Sequence, residues 1–315
     1  MAELAHLVAS GEAHDALSGD ATGAVVVVRG ASSDPIDPTA LGDLAAVVVA
    51  TDRTDDAVAW ADVVAPAADL EPLVAAVRRS PRASTSLALL LRAQPGRSVA
   101  EGLTAESATY SLLQAGPEFA AWRAGRPVVE RHQPRPTVRA EREGGRLVVT
   151  LARPEVHNAF SAAVRDDLID ALAIARLDPS VTEVELRGDG PSFCSGGDLD
   201  EFGSLPDPST AHLIRLTRSA GRAIHRIADR TTAHVHGATM GSGIELAAFA
   251  HRVVAHPDTR IALPELGLGL VPGAGGTVSV TRRIGRHRTM LLALSPEPID
   301  ATTARSWGLV DEISS

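Results

Sequence analysis

The stretch His236–Ala247, with the sequence HGATMGSGIELA, decides the fold of this chain. It follows the predicted strand Thr232–Val235, and its glycines form a tight turn before a predicted helix at Ile244–Ala250. An earlier predicted strand, Val181–Leu186, leads in the same way into the glycine turn Phe193–Leu199, FCSGGDL. Such corners place free backbone N–H groups at helix N-termini, where negative charge is stabilised. The repeated order of strand, turn and helix predicts an α/β fold with two anion-stabilising corners.

Two glutamates accompany these corners. Glu245 lies in the helix that follows the second turn, and Glu265 follows Pro264 further along the chain. Two carboxyl groups beside two tight backbone turns are what an enzyme needs to move protons around an anionic intermediate. Each glutamate also has a plainer interpretation, because acids are favoured in the first turn of a helix and in solvated loops.

Composition narrows the class of protein. The formal net charge of −9, without an arginine-rich stripe interleaved with aromatics, argues against a nucleic-acid partner. No apolar run reaches the roughly 18 to 20 residues of a membrane span, so we expect no membrane partner. A single cysteine, Cys194, cannot form an internal disulfide, which together with the lack of a signal-peptide pattern favours the cytoplasm. The 11 histidines show no metal-ligand spacing, so we expect no metal.

The length and the loop signals predict two parts. At 315 residues the chain exceeds the roughly 150 residues of one typical domain. Residues 24–28 and 45–49 are short apolar runs typical of buried strands, and residues 69–124 have mainly helical spacing. We therefore expect a smaller, mixed α/β but mainly helical N-terminal region at 1–125. A linker rich in proline and arginine follows at 126–136, and a second domain at 137–315.

Four blocks of the second domain, in order and with matching spacing, resemble the crotonase superfamily, also called the enoyl-CoA hydratase/isomerase family. They are Arg153–Phe160 (RPEVHNAF), Phe193–Leu199, His236–Ala247 and Pro264–Thr277 (PELGLGLVPGAGGT), with Ala304–Glu312 (ARSWGLVDE) trailing. The resemblance covers residues 137–313. Each short motif is weak by itself, whereas four in order are a strong signal. The resemblance implies a ββα spiral core.

The resemblance also implies roles for individual residues. The amides of Gly197 and Ser242 would form an oxyanion hole for the oxygen of a thioester enolate; Ser242 stands where the family usually has glycine. Glu245 would activate water and Glu265 would protonate C2 of the enolate. Coenzyme A and the substrate would contact Val156, His157, Ala159, Ser195, Asp198 and Leu199, with Arg153 a candidate phosphate partner.

The function implied is hydration of a 2-enoyl-CoA thioester to the 3-hydroxyacyl-CoA, with coenzyme A part of the substrate and no separate cofactor. An enoyl-CoA isomerase or another enolate enzyme is the alternative within the family, because these reactions can operate with one carboxylate. A non-catalytic acyl-CoA-binding scaffold is the alternative from another class. The family resemblance suggests a homo-trimer or hexamer.

The N-terminal region has its own, looser resemblance. Residues 57–127 are similar to the C-terminal segment of the same family, whereas the second domain lacks the usual C-terminal helices. We therefore expect the helices of residues 1–125 to pack where those helices belong, as in a permuted chain. A duplicated or unrelated regulatory domain is the alternative.

Overall fold

The computed structural model describes residues 5–9, 25–29, 44–51, 59–126, 136–204 and 207–314. Most of the predicted linker at 126–136 lies outside the described residues. Within these ranges, no helix combines the length and the apolar character needed to cross a lipid bilayer.

The chain begins with a four-stranded parallel sheet. Its strands are β1 (Ala5–Ala9), β2 (Val25–Arg29), β3 (Val47–Thr51) and β4 (Val63–Val64), and they pair in sequence order. The valines of β2 and β3 are buried on both faces, as is usual for parallel strands. Val25 and Val27 join the main hydrophobic core, whereas Val26 and Val28 join a small second cluster with Leu44 and Trp60. The predicted strands at 24–28 and 45–49 are confirmed with shifts of one or two residues.

Four helices follow, as the spacing of residues 69–124 predicts. They are α1 (Leu70–Arg79), α2 (Pro81–Arg92), α3 (Val99–Gln114) and α4 (Pro117–Ala124). The prolines that start α2 and α4 stand at a position where no backbone N–H is needed. At the start of α3, Ser98 and Glu101 exchange hydrogen bonds as a capping box.

The second half holds the larger sheet. The strands are β5 (Val138–Glu143), β6 (Arg146–Leu151), β7 (Glu183–Gly188), β8 (Thr231–Val235), β10 (Arg252–Ala255) and β13 (Glu312–Ile313), and the order across the sheet is β13-β10-β8-β7-β6-β5. All neighbours run parallel except the hairpin β5–β6. A second sheet has the order β12-β11-β9, formed by β9 (Ala238–Met240), β11 (Arg260–Ala262) and β12 (Ile299–Asp300).

Helices lie between these strands along the chain. They are α5 (Ala162–Leu177), α6 (Pro208–Thr217), α7 (Ala220–His225), α8 (Ser242–Ala247), α9 (Gly276–Leu294) and α10 (Ala301–Trp307). The apolar spacing of residues 208–228 predicts one long helix, whereas the structure shows two shorter helices in this stretch. The chain breaks at Arg218, and the Ser219 side chain accepts a hydrogen bond from the Arg222 amide, so α7 starts as a separate, capped helix. The expected mixed α/β class is confirmed.

The N-terminal helices pack directly on the second half. Helix α3 contacts α6 and α9, and α2 also contacts α9. The Gln94 side chain donates to the Thr277 carbonyl at 2.7 Å, and the Arg286 guanidinium donates to the Ala59 and Ala61 carbonyls. The main hydrophobic core includes buried residues of both halves. The two parts of the described chain therefore share one core, and α3 lies over the turn that begins α9.

Candidate active site

Two glycine turns lie side by side at the ends of β7 and β9. The Cys194 amide donates to the Ala238 carbonyl at 3.1 Å, and the Met240 amide donates to the Cys194 carbonyl at 3.0 Å. These bonds bring the turn Phe193–Leu199 against the turn that opens α8. In the described part of the chain, neither the Gly197 amide nor the Ser242 amide donates to a protein acceptor. Both are therefore available to bind an oxygen.

A cavity of about 370 Å³ opens beside these turns. Its lining contains five of the residues that the sequence predicts: Gly197, Asp198, Ser242, Glu245 and Glu265. The N-terminal helix α3 supplies a further part of the wall: Leu103, Glu106, Ser107, Tyr110 and Gln114. Fold and cavity thus bring together residues from four separate stretches of the chain.

Glu245 lies on α8 and is almost completely buried, with 1% of its surface exposed. Its Oε2 accepts hydrogen bonds from the amides of Ala274 (2.7 Å) and Gly276 (2.8 Å). Burial raises the pKa of Glu245 to about 7, and the backbone donors act against that rise because they favour the carboxylate. Glu245 is therefore a carboxyl group that can change its charge close to neutral pH.

Glu265 lies in the short 3₁₀ turn Pro264–Leu268 and is 7% exposed. Its Oε2 is buried and has no hydrogen-bond partner among the described residues. Burial, and then the charge of Glu245, raise the pKa of Glu265 well above its usual value. A buried carboxylate with an oxygen that has no donor is costly, so of these two acids Glu265 is the one that holds a proton.

The absence of a side chain at Gly241 leaves room for the carboxyl group of Glu265. The glycine has a φ of 45°, and a Cβ at this position would lie 2.3 Å from Oε1 of Glu265. Both the left-handed backbone and the missing side chain are therefore needed at this corner.

Glu106 is a further buried carboxyl group of the cavity, and no motif in the sequence indicated it. It lies on α3, is 2% exposed and belongs to the cavity lining. Its Oε1 accepts from the Gly275 amide at 2.7 Å, and its Oε2 accepts from the Thr277 amide at 2.9 Å and the Thr277 hydroxyl at 2.7 Å. Burial, and then the charge of Glu245, raise the pKa of Glu106 to about 8. The available signal was its position three residues after Leu103 and four before Tyr110, on the buried side of α3.

Within the described residues, no group of three or more histidine, cysteine, aspartate or glutamate side chains is arranged to hold a metal ion. The carboxyl groups of Glu106, Glu245 and Glu265 do not form such a cluster, but they are close enough for the charge of one to raise the pKa of another. Three buried carboxyls that interact in this way lose their protons as a coupled set.

The predicted coenzyme A loop adjoins the first turn. The Ser195 amide donates to the His157 carbonyl, and the Phe160 amide donates to the Gly196 carbonyl. His157 has a left-handed φ of 52°. The remaining members of the predicted set are outside the cavity lining: Val156, His157, Ala159, Ser195 and Leu199. These residues belong to the loop of residues 153–160 and to the turn that contains Gly197.

Arg153 differs from the expectation of a phosphate partner. Its guanidinium is buried, donates to the Ala159 carbonyl at 3.1 Å and lies 3.5 Å from the Asp198 carboxylate. Because this guanidinium is buried and paired with a buried aspartate, it is not exposed at the surface to bind a phosphate. Arg153 instead joins the loop of residues 153–160 to the turn that carries Gly197.

A family model described as enoyl-CoA hydratase/isomerase matches residues 141–315. The 2,3-dehydroadipyl-CoA hydratase of Escherichia coli is 34% identical over 168 residues, covering 53% of this chain and 65% of that protein. The enoyl-CoA isomerase/hydratase fer4 of Mycosarcoma maydis is 31% identical over 175 residues, covering 53% of this chain and 64% of that protein. The matches therefore span less than two thirds of these relatives.

A solved structure gives the same result. The enoyl-CoA hydratase of Mycobacterium smegmatis is 31% identical and has a TM-score of 0.53. The match covers 57% of this chain and 70% of the hydratase chain. The chain belongs to the enoyl-CoA hydratase/isomerase family, that is, the crotonase superfamily.

Proposed function

We propose that this protein hydrates a 2-enoyl-CoA thioester to the 3-hydroxyacyl-CoA. The observation that carries the proposal is the difference between two carboxyls that line one cavity. Glu245 accepts two backbone hydrogen bonds, whereas Glu265 has an oxygen without a donor. One acid is thus arranged as a base and the other as a proton donor, and hydration needs one of each.

The backbone turns supply the electrostatic part of the mechanism. The amides of Gly197 and Ser242 would donate to the thioester carbonyl oxygen, whose negative charge grows as the enolate forms. Each such donor contributes roughly 3 to 4 kcal/mol in the acyl-transfer enzymes where donors have been removed singly. Backbone donors need no particular side chain, so serine at position 242 is compatible with this role.

Proton transfer completes the reaction. The Glu245 carboxylate takes a proton from water while the water oxygen forms its bond to C3, and the C2–C3 π electrons move toward the thioester oxygen. The enolate then collapses, and C2 takes the proton of Glu265. Glu245 ends protonated and Glu265 ionised, so a proton passes from the first to the second before the next turnover.

Two observations weigh on the alternatives. Isomerisation moves one proton between carbons and can operate with a single carboxyl, so the presence of both Glu245 and Glu265 favours hydration. Relatives are named both as hydratases and as isomerases, for example the trans-2-decenoyl-[acyl-carrier-protein] isomerase of Streptococcus mutans.

A cytoplasmic location and a trimer or hexamer are further parts of the proposal that rest on the sequence.

The test follows the ultraviolet absorbance of the conjugated thioester when crotonyl-CoA is mixed with the protein. Hydration predicts a fall in absorbance that Glu245→Gln and Glu265→Gln each slow by about 10²- to 10⁴-fold. Glu101→Gln, an exposed glutamate on α3 outside the cavity lining, is the matched control. Binding of crotonyl-CoA without an absorbance change contradicts hydration and indicates a scaffold. A rise of absorbance from a 3-enoyl-CoA, without hydration of the 2-enoyl isomer, indicates an isomerase.

A further inference from the structure

The turn Gly273–Thr277 is held from both sides by carboxyl groups. Four successive amides alternate between two glutamates: Ala274 and Gly276 donate to Glu245, and Gly275 and Thr277 donate to Glu106. The four distances lie between 2.7 and 2.9 Å. The backbone segment that orients Glu245 is therefore itself oriented by Glu106, which comes from the other half of the chain.

We propose that Glu106 is a positioning residue for the reaction proposed above, and that helix α3 completes the active site by supplying it. Glu106 holds the turn Gly273–Thr277 in the shape that aims the amides of Ala274 and Gly276 at Glu245. The proposal rests on the proposed function, because it concerns the group that activates water.

The pattern of hydrogen bonds explains why a carboxylate is needed at this position. Glu106 accepts bonds with both oxygens, and three donors surround it. Glutamine has one acceptor oxygen and two N–H donors, so it must place an N–H group against either Gly275 or Thr277. Glu106→Gln therefore keeps the volume of the side chain but loses at least one of the hydrogen bonds that hold the turn Gly273–Thr277.

Electrostatics give a second effect of the same residue. The charged and titratable groups that interact with Glu106 are Glu245 on α8, Glu265 in the turn Pro264–Leu268, Tyr110 on α3 and Arg215 on α6. The Arg215 guanidinium lies over the Tyr110 ring, 4.6 Å from its centroid. Negative charge at Glu106 raises the pKa of Glu265. A neutral residue at position 106 therefore lowers the pKa of Glu265.

The experiment measures kcat, KM and the pH dependence of kcat/KM for crotonyl-CoA hydration in the full chain. Glu106→Gln is expected to lower kcat by about 10²-fold, the cost of a misplaced catalytic group, with little change in KM. The alkaline limb of the pH profile should move to lower pH, because the pKa of the proton donor Glu265 falls. Thr277→Val removes one of the three bonds to Glu106 while the backbone amide remains, so it should change both readouts in the same direction and by less.

A purely structural role predicts a different result. Glu106→Gln would then lower the yield or the melting temperature, while the folded enzyme kept the kcat and the pH optimum of the wild type. That outcome, measured on protein corrected for its folded fraction, overturns the proposal. Glu101→Gln on the same helix is the control and should leave kcat and the pH profile unchanged. If wild-type protein does not hydrate crotonyl-CoA, the proposed function fails first. The positioning role is then tested by titration of Glu245 in the wild type and in Glu106→Gln. The amides of Ala274 and Gly276 favour the Glu245 carboxylate, so misplacing them should raise the pKa of Glu245, and an unchanged pKa overturns the proposal.

Discussion

Replacing Glu245 by glutamine should make the protein less active and, at neutral or alkaline pH, more stable. Among the described residues, the Glu245 carboxyl accepts the amide hydrogen bonds of Ala274 and Gly276 through one oxygen, Oε2. A glutamine carbonyl oxygen can accept both, so the substitution removes the charge and keeps the hydrogen bonds.

The sign of the stability effect follows from the direction of the pKa shift. Below pH 4.5 the carboxyl of Glu245 is protonated in the folded and in the unfolded chain, and it contributes no difference. Between pH 4.5 and about 7 the unfolded chain loses a proton that the folded chain keeps, so the free energy of unfolding falls as pH rises. Above that range the full cost of burying the charge is present.

The size of the effect follows from the same shift. A pKa raised from 4.5 to about 7 corresponds to roughly 3 kcal/mol, at 1.36 kcal/mol for each pKa unit. Glu245→Gln should therefore match the wild type near pH 4.5 and exceed its free energy of unfolding by about 3 kcal/mol well above pH 7.

Urea unfolding of both proteins across this pH range measures the difference. Glu101→Gln is the control; hydrogen bonds from Ser98 lower the pKa of exposed Glu101, so its loss should not reproduce this trend. A constant difference between Glu245→Gln and wild type at all pH values, or a loss of stability that grows with pH, would refute the reasoning.

Two further perturbations test the geometry. Gly241→Ala should lower the rate of hydration by about 10²-fold and reduce the melting temperature, because its Cβ would lie 2.3 Å from Oε1 of Glu265 at a φ of 45°. Gly267→Ala is the matched control, since a Cβ there meets nothing within 4 Å, and equal losses in both variants would contradict the steric argument. A fragment of residues 130–315 should be aggregated and inactive, because it loses Glu106 and the Tyr110 ring that packs against Gly273. A monodisperse, fully active fragment would show that the N-terminal helices are dispensable.

The local features of the fold were predictable because their causes are local. A capping serine, a proline at the first position of a helix and a glycine turn act within a few residues. The continuous valine runs of β2 and β3 likewise indicated buried strands. Where a local signal was missed, the prediction was wrong: Ser219 begins a new helix inside the stretch 208–228.

The candidate site was predictable as a set of residues, since Glu245, Glu265 and the two glycine turns stand in recognisable blocks. The chemical state of those residues was not. Whether a carboxyl holds a proton depends on which donors reach it, and those donors belong to a different segment, Ala274–Thr277. Burial, the largest cause of the three raised pKa values, is also set by packing.

The amino-acid sequence by itself determined the two corners, the pair of acids and the helical character of residues 70–124. The tertiary structure alone decided that a helix from the first half reaches the cavity and that Glu106 binds amides 169 and 171 positions away. Turn and helix propensities extend over one or two turns of backbone, whereas a contact across such a separation exists only when two apolar surfaces have packed together.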